Sequence, residues 1–177
     1  MIKTLLTITA AVSAFLTSAT FADDTANYPN EKPAFSVAVP KGWATKRDDG
    51  SLMMGAPNAH VAVLIQHVSD VKTAAQAKAG MPALAAAAAK TFGMSGAEVV
   101  TEASEADIGE FKGVGTEYKG KDGAGEGAFW MVMAFAPDGK DYYLMTIICS
   151  DKDDKATAEA RDAIVESVKA FKNDGDK

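Results

Sequence analysis

Apolar residues recur with a period of two in the first part of the chain. Phe35, Val37 and Val39 share one face of a run that Pro40 and Gly42 stop, because proline lacks an amide to donate and glycine permits a turn. A short strand is expected over residues 51–54, after the Asp48-Asp49-Gly50 turn. A longer one is expected over 60–67, where Val61, Val63 and Ile65 point one way and Ala62 and Leu64 the other. The period then changes. Residues 69–93 read as helical, with the alanines at 85–89 supplying propensity and a surface small enough to pack closely on a sheet. Pro82 interrupts this segment, so the spacing predicts a kink or, preferably, a second helix starting there, with Gly93 as the stop.

Four more strands are expected at 97–107, 112–119, 127–136 and 141–149, joined by the loops Gly120–Gly127 and Pro137–Gly139. The last two are apolar on both faces. Phe129, Met131, Met133 and Phe135 alternate with Trp130, Val132 and Ala134, and the next strand repeats the arrangement up to Cys149. Strands of this kind belong in the middle of a sheet covered on both sides. A final helix over 151–171 carries the stripe Ala160, Ile164, Val168 and Phe171, with Ser150 and Asp153 resembling a capping box. The order β-β-β-α-β-β-β-β-α predicts an α+β fold: an α/β/α sandwich around a mainly antiparallel sheet of about six to seven strands, with a helix layer on each face.

The first residues change the picture of where the protein acts. Lys3, an apolar stretch from Leu5 to Leu16, and Thr20-Phe21-Ala22 have the layout of a secretory signal peptide cleaved after Ala22. The apolar stretch is short of the about 20 residues a spanning helix needs. The expected organisation is a leader at 1–22, a flexible lead-in at 23–33, one domain at 34–172 and a tail at 173–177. The product would be periplasmic or secreted, with no stable membrane insertion. Losing the leader removes one lysine and no acid, so the formal charge moves from −6 to −7. Nucleic acid and anionic lipid are therefore poor partners. With Cys149 alone, no internal disulfide can form.

Candidate chemistry is sparse. His60 and His67 stand seven apart in one expected strand, on opposite faces, and cannot share a metal through it. Cys149, within an apolar strand, reads as a small hydrophobe rather than a nucleophile. The glycines at 120–127 precede a strand, so they fit neither a Walker loop nor a dinucleotide fingerprint. Asp151, Asp153 and Asp154 lack the EF-hand spacing and suit a helix start. Met131, Met133 and Met145 read as core filling, whereas Met53, Met54 and Met94 are harder to place. Trp43 reads as a plug over the sheet edge, with a ligand platform as the alternative. Trp43, Met53 and Met54 are therefore the candidate binding residues. No catalytic residue, metal site or cofactor is expected.

The stretch FSVAVPKGW resembles the opening strand of the Mog/PsbP-like superfamily, in which a strand ending in P-x-G-W is common. The strand GVGTEYKG, the hairpin from Trp130 to Cys149 with its PDGKDYYL turn, and the closing VESVKAFK carry the same resemblance, spread over most of 34–172. The nearer relatives it points to are DcrB-like and PsbP-related bacterial exported proteins. The resemblance implies the same sandwich and a non-enzymatic accessory or adaptor role, with an envelope protein as partner. The metal-associated histidines of the plant members have no counterparts here, and the cysteine for a lipid anchor is absent. A small-ligand carrier, taking lipid or metal in a groove between sheet and helix near Trp43, is the alternative expectation.

Overall fold

The computed structural model describes residues 25–48, 50–150 and 155–171; the leader, Asp49, Asp151, Asp153, Asp154 and the tail lie outside the described residues. The first elements are short strands, β1 (Thr25–Tyr28), β2 (Phe35–Ala38), β3 (Ala44–Asp48), β4 (Ser51–Gly55) and β5 (Val61–Val68). Helix α1 (Ala74–Thr91) follows, and then β6 (Ser95–Ile108), β7 (Phe111–Lys121), β8 (Gly127–Phe135) and β9 (Tyr142–Cys149). The chain closes with α2 (Lys155–Glu166) and β10 (Lys169–Ala170). Among the described residues the strands form an antiparallel sheet in the order β3-β4-β5-β9-β8-β7-β6 and a small sheet in the order β1-β2-β10. The doubly apolar strands β8 and β9 pair near the centre, Met133 opposite Met145, as their composition demands.

Each face of the large sheet has its own core. On one, α1 lays Ala77, Met81, Ala85, Ala88 and Ala89 onto Trp130, Val132, Leu144 and their neighbours. The alanines bring the helix close, which is what the small side chains allow. Thr73 caps the helix, its hydroxyl accepting from the Gln76 amide at 3.2 Å. At the other end Gly93 has φ +68°, Met94 N–H donates to the Ala89 carbonyl at 2.7 Å and Gly93 N–H to that of Lys90 at 3.3 Å, a Schellman closure. Pro82 lies inside this one continuous helix, so the expected restart there does not occur. Met81 and Ala85, buried on either side of it, hold the helix against the sheet. That packing outweighs the roughly 3 kcal/mol an internal proline costs.

The opposite face is covered by α2 together with the small sheet, where Phe35, Val37, Ile164 and Val168 meet Phe135, Tyr143, Met145 and Ile147. Phe35 is the hub of this layer, with ring centroids of Phe135 and Tyr143 at 5.1 and 5.2 Å. The expected helix on each face is therefore present, and a second sheet completes one of the layers. Two of its strands differ from expectation. Thr25–Tyr28, placed by sequence in a flexible lead-in, pairs along the whole of β2. The last helix ends at Glu166 rather than continuing to 171: the Ser167 hydroxyl donates to the Ile164 carbonyl at 2.7 Å and accepts from the Ala38 amide at 2.9 Å, tying the turn to β2. Val168 is buried below this turn, and residues 169–170 pair with β2.

Candidate functional site

The residues singled out by sequence lie mainly inside the molecule. Trp43 follows a turn in which its amide donates to the Pro40 carbonyl at 3.0 Å and Gly42 takes φ +84°, the positive value a type II turn requires at that position. Its side chain is 7% exposed and belongs to the same core as Phe35. Met54 is fully buried in that core and Met53 is 9% exposed. The space beside Trp43 that a carrier would use is thus filled by the protein's own side chains. The physical reason is the small sheet, which lies over this end and which the sequence pattern did not announce.

His60 precedes β5 and is exposed, so the opposite-face argument applies to His67 alone, at the exposed end of the strand. His67 Nε2 lies 3.8 Å from Asp141, and its ring is 5.4 Å from that of Tyr143. Cys149 is a buried free thiol whose pKa is pushed up to about 11 by that burial, the opposite of what a nucleophile needs. Within Gly120–Gly127 the ends pair as the last rungs of β7 and β8, and residues 122–126 form the hairpin connection, organised by the Asp122 carboxylate accepting from the Ala124 and Glu126 amides, each at 2.9 Å. Among the described residues no group of three or more His, Cys, Asp or Glu is arranged to hold a metal.

A concave site opens at the other end of the face that carries Trp43 and Met54. The segment from α2 to β10 reaches the β6–β7 turn, where Glu110 N–H donates to the Val168 carbonyl at 2.9 Å. Farther along β6, β7 and the adjoining part of β8 the face is open, with α2 along one side. The result is an open groove of about 420 Å³, floored by Ala106, Gly115, Met131 and Met133 and walled by Val165. Gly115 shapes it: a Cβ there would stand 3.1 Å from Ala106 Cβ and 3.4 Å from Met133 Cγ, so the glycine leaves the floor low. Strand pairing between β6 and β7 is irregular between Thr101 and Ser104, where β6 forms the groove's outer wall. Such bulges re-aim side chains at sheet edges. Beyond the wall β6 is an edge strand of the large sheet, with Val99 and Val100 48% and 43% exposed.

The polar rim is one-signed. Asp107, Glu117, Asp162 and Glu166 line the groove, with no lysine, arginine or histidine among the lining residues. Asp107 pairs outward with Lys112, which raises the lysine's pKa chiefly through that hydrogen bond. Arg161 holds Asp162 at 2.7 Å while lying over the Phe129 ring, 5.7 Å from its centroid. Glu117 accepts the Thr101 hydroxyl at 2.8 Å. Nothing in this arrangement activates a nucleophile or a general base; it can hold a partly apolar, positively charged group. Sequence reasoning placed Met131 and Met133 in the core, and Met133, 2% exposed, is core, while Met131 packs half-buried against it. The signal for the groove was there in β6, whose sequence SGAEVVTEASEADI is too polar to lie under a covering layer.

No protein-family model matches the chain, and no curated protein sequence matches it either. Solved structures do. Cyanobacterial PsbP (CyanoP) from Synechocystis aligns with a TM-score of 0.53 at 15% identity, over 87% of this chain and 96% of its own. The Ran-binding protein Mog1p of Saccharomyces cerevisiae aligns with a TM-score of 0.50 at 8% identity, over 85% of this chain and 96% of its own. A protein from Bacteroides thetaiotaomicron gives a TM-score of 0.50 at 16% identity over 81% of this chain, which spans only 47% of that protein's length. At these identities the likeness establishes the fold, and the fold is Mog/PsbP-like.

Proposed function

We propose that the chain is an exported, non-enzymatic accessory or adaptor protein that binds another protein in the cell envelope. The observation that carries this reading is the open groove between α2 and β6–β8, a concave apolar floor with a charged rim. Exposed apolar concavities with a polar border are where partners dock. The fold supports it by analogy, since Mog1p is a Ran-binding protein with the same architecture. The leader pattern at 1–22 supports export, and the exported DcrB-like and PsbP-related branch of the superfamily is the placement that suits such a leader. A thiol held protonated in the core and two surface histidines supply no catalytic pair.

Two measurements test this. The mass of the chain recovered from the periplasmic fraction should correspond to a start at Asp23; recovery of the uncleaved chain from the cytoplasm alone would contradict export. Chemical cross-linking in intact cells, followed by capture through a C-terminal tag, should return the same envelope protein in replicate preparations. Repeated capture of nothing above background would count against an adaptor role.

A further inference from the structure

From the chemistry of the groove we infer which kind of partner surface it receives: a segment bearing lysine or arginine next to aliphatic side chains. This rests on the protein-binding reading above. The groove's lining has four carboxylates and no cation. The two basic residues at its border are already engaged, Lys112 with Asp107 and Arg161 with Asp162. Among the described residues no lysine or arginine pairs with Glu117 or Glu166. Glu166 is exposed, on the α2 wall, and Glu117 is half-buried on β7 across from it, so a cation laid in the groove meets carboxylates from both sides.

The floor selects the rest of the ligand. Met131 is half-buried and the buried Met133 is its neighbour on the same face of β8, giving a flexible, polarisable surface suited to aliphatic stems. Lysine and arginine carry such stems and lay them along apolar surface while the head stays in water. Other occupants fit less well. A second copy of the chain is acidic overall and would face an acidic rim. Nucleic acid and anionic lipid are repelled for the same reason. A divalent cation finds no converging set of three donors among the described residues. A neutral lipid would strip water from four carboxylates with nothing to replace it.

The test uses the mature chain and four probes: a ten-residue peptide alternating lysine with valine, its glutamate counterpart, spermine and calcium chloride. Calorimetric titration should show the lysine peptide binding and the glutamate peptide binding at least about tenfold more weakly, with the difference shrinking as salt rises. The exposed-pair scale sets the effect of Glu117→Gln with Glu166→Gln at roughly three- to tenfold weaker binding of the lysine peptide. Asp138→Asn, on a distant turn, should change nothing. Thermal melting of each variant confirms that it is folded. Lysine-peptide binding that the double variant leaves intact, or spermine or calcium binding as tightly as the peptide, would overturn the inference. Envelope capture with wild type and double variant separates it from the premise. The same partner captured equally by both overturns the groove and leaves the protein-binding reading standing. No partner captured by either overturns that reading itself.

Discussion

The two ends of one sheet face have opposite fates. At the β4–β5–β9 end, Trp43, Met54 and Tyr143 are sealed beneath the small sheet around Phe35. At the β6–β8 end, chemically similar material, the half-buried Met131 next to the core residue Met133, floors an open groove. Both ends present methionines and aromatics from strands of similar pattern, so composition does not separate them. What separates them is the length of the cover: β1, β2 and β10 are short, and α2 stops at Glu166. A surface is left where the cover ends. The lesson is that methionine becomes a binding surface or a core filler according to what lies above it, information carried by other segments of the chain.

The largest expected effect lies at the sealed end. Phe35→Ala removes a fully buried ring that contacts Phe135, Tyr143 and Tyr28 and should cost about 3–5 kcal/mol of unfolding free energy in urea titration. A loss of the size seen at exposed sites would mean the small sheet does not seal this end. Next comes the methionine pair. Met54→Ala should cost about 2–5 kcal/mol, whereas Met131→Ala, at a half-open site, should cost less than about 1.5 kcal/mol. Equal losses at both positions would erase the distinction between the two ends.

Alkaline pH sharpens the comparison further, because the sealed end holds three buried acids of raised pKa, Cys149, Tyr28 and Tyr143. Burial pushes Cys149 up to about 11, with Arg161 opposing and Asp162 adding to the effect. Tyr28 is pushed up to about 12, again mainly by burial, its hydroxyl donating to the Gly50 carbonyl. In the unfolded chain each group releases its proton at its ordinary, lower pKa, so stability is whole below about pH 9 and falls through pH 9–12. The thiol alone accounts for on the order of 2 kcal/mol. Cys149→Ala should flatten the part of this fall between pH 9 and 11, whatever the substitution does to stability at neutral pH. A smaller, purely kinetic contrast is expected from peroxide: Met131 should be oxidised to the sulfoxide before Met54 and Met145, read by peptide mass spectrometry.

Much of the sheet was legible from alternation alone. β5, β8 and β9 show their two apolar faces directly, and the face assignments of residues 129–135 and 142–149 match the two cores. The helix in front of Gly93 was legible from its alanines and its closing glycine. The unforeseen elements are those whose local pattern is weak. β1 and β10 contribute few apolar residues, and they exist because β2 offers them a partner. Val168 and Phe171 continue the 3.6 period of α2, so nothing local marks the turn that Ser167 makes. The surroundings of the candidate binding residues were hidden for the same reason. Trp43 is buried as the plug reading has it, whereas Met54 looked unplaced because the layer that buries it is assembled from distant, short segments. The groove was visible only as polarity in β6.

The central claim is that the open end, and not the sealed end, meets the partner. A photo-activatable side chain installed in place of Met131, and separately in place of Lys46 on the exposed β3 edge, addresses it in cells that export the chain. Irradiation should give an adduct with one envelope protein from position 131 and none from position 46. Adducts from position 46 with none from position 131 would contradict the account.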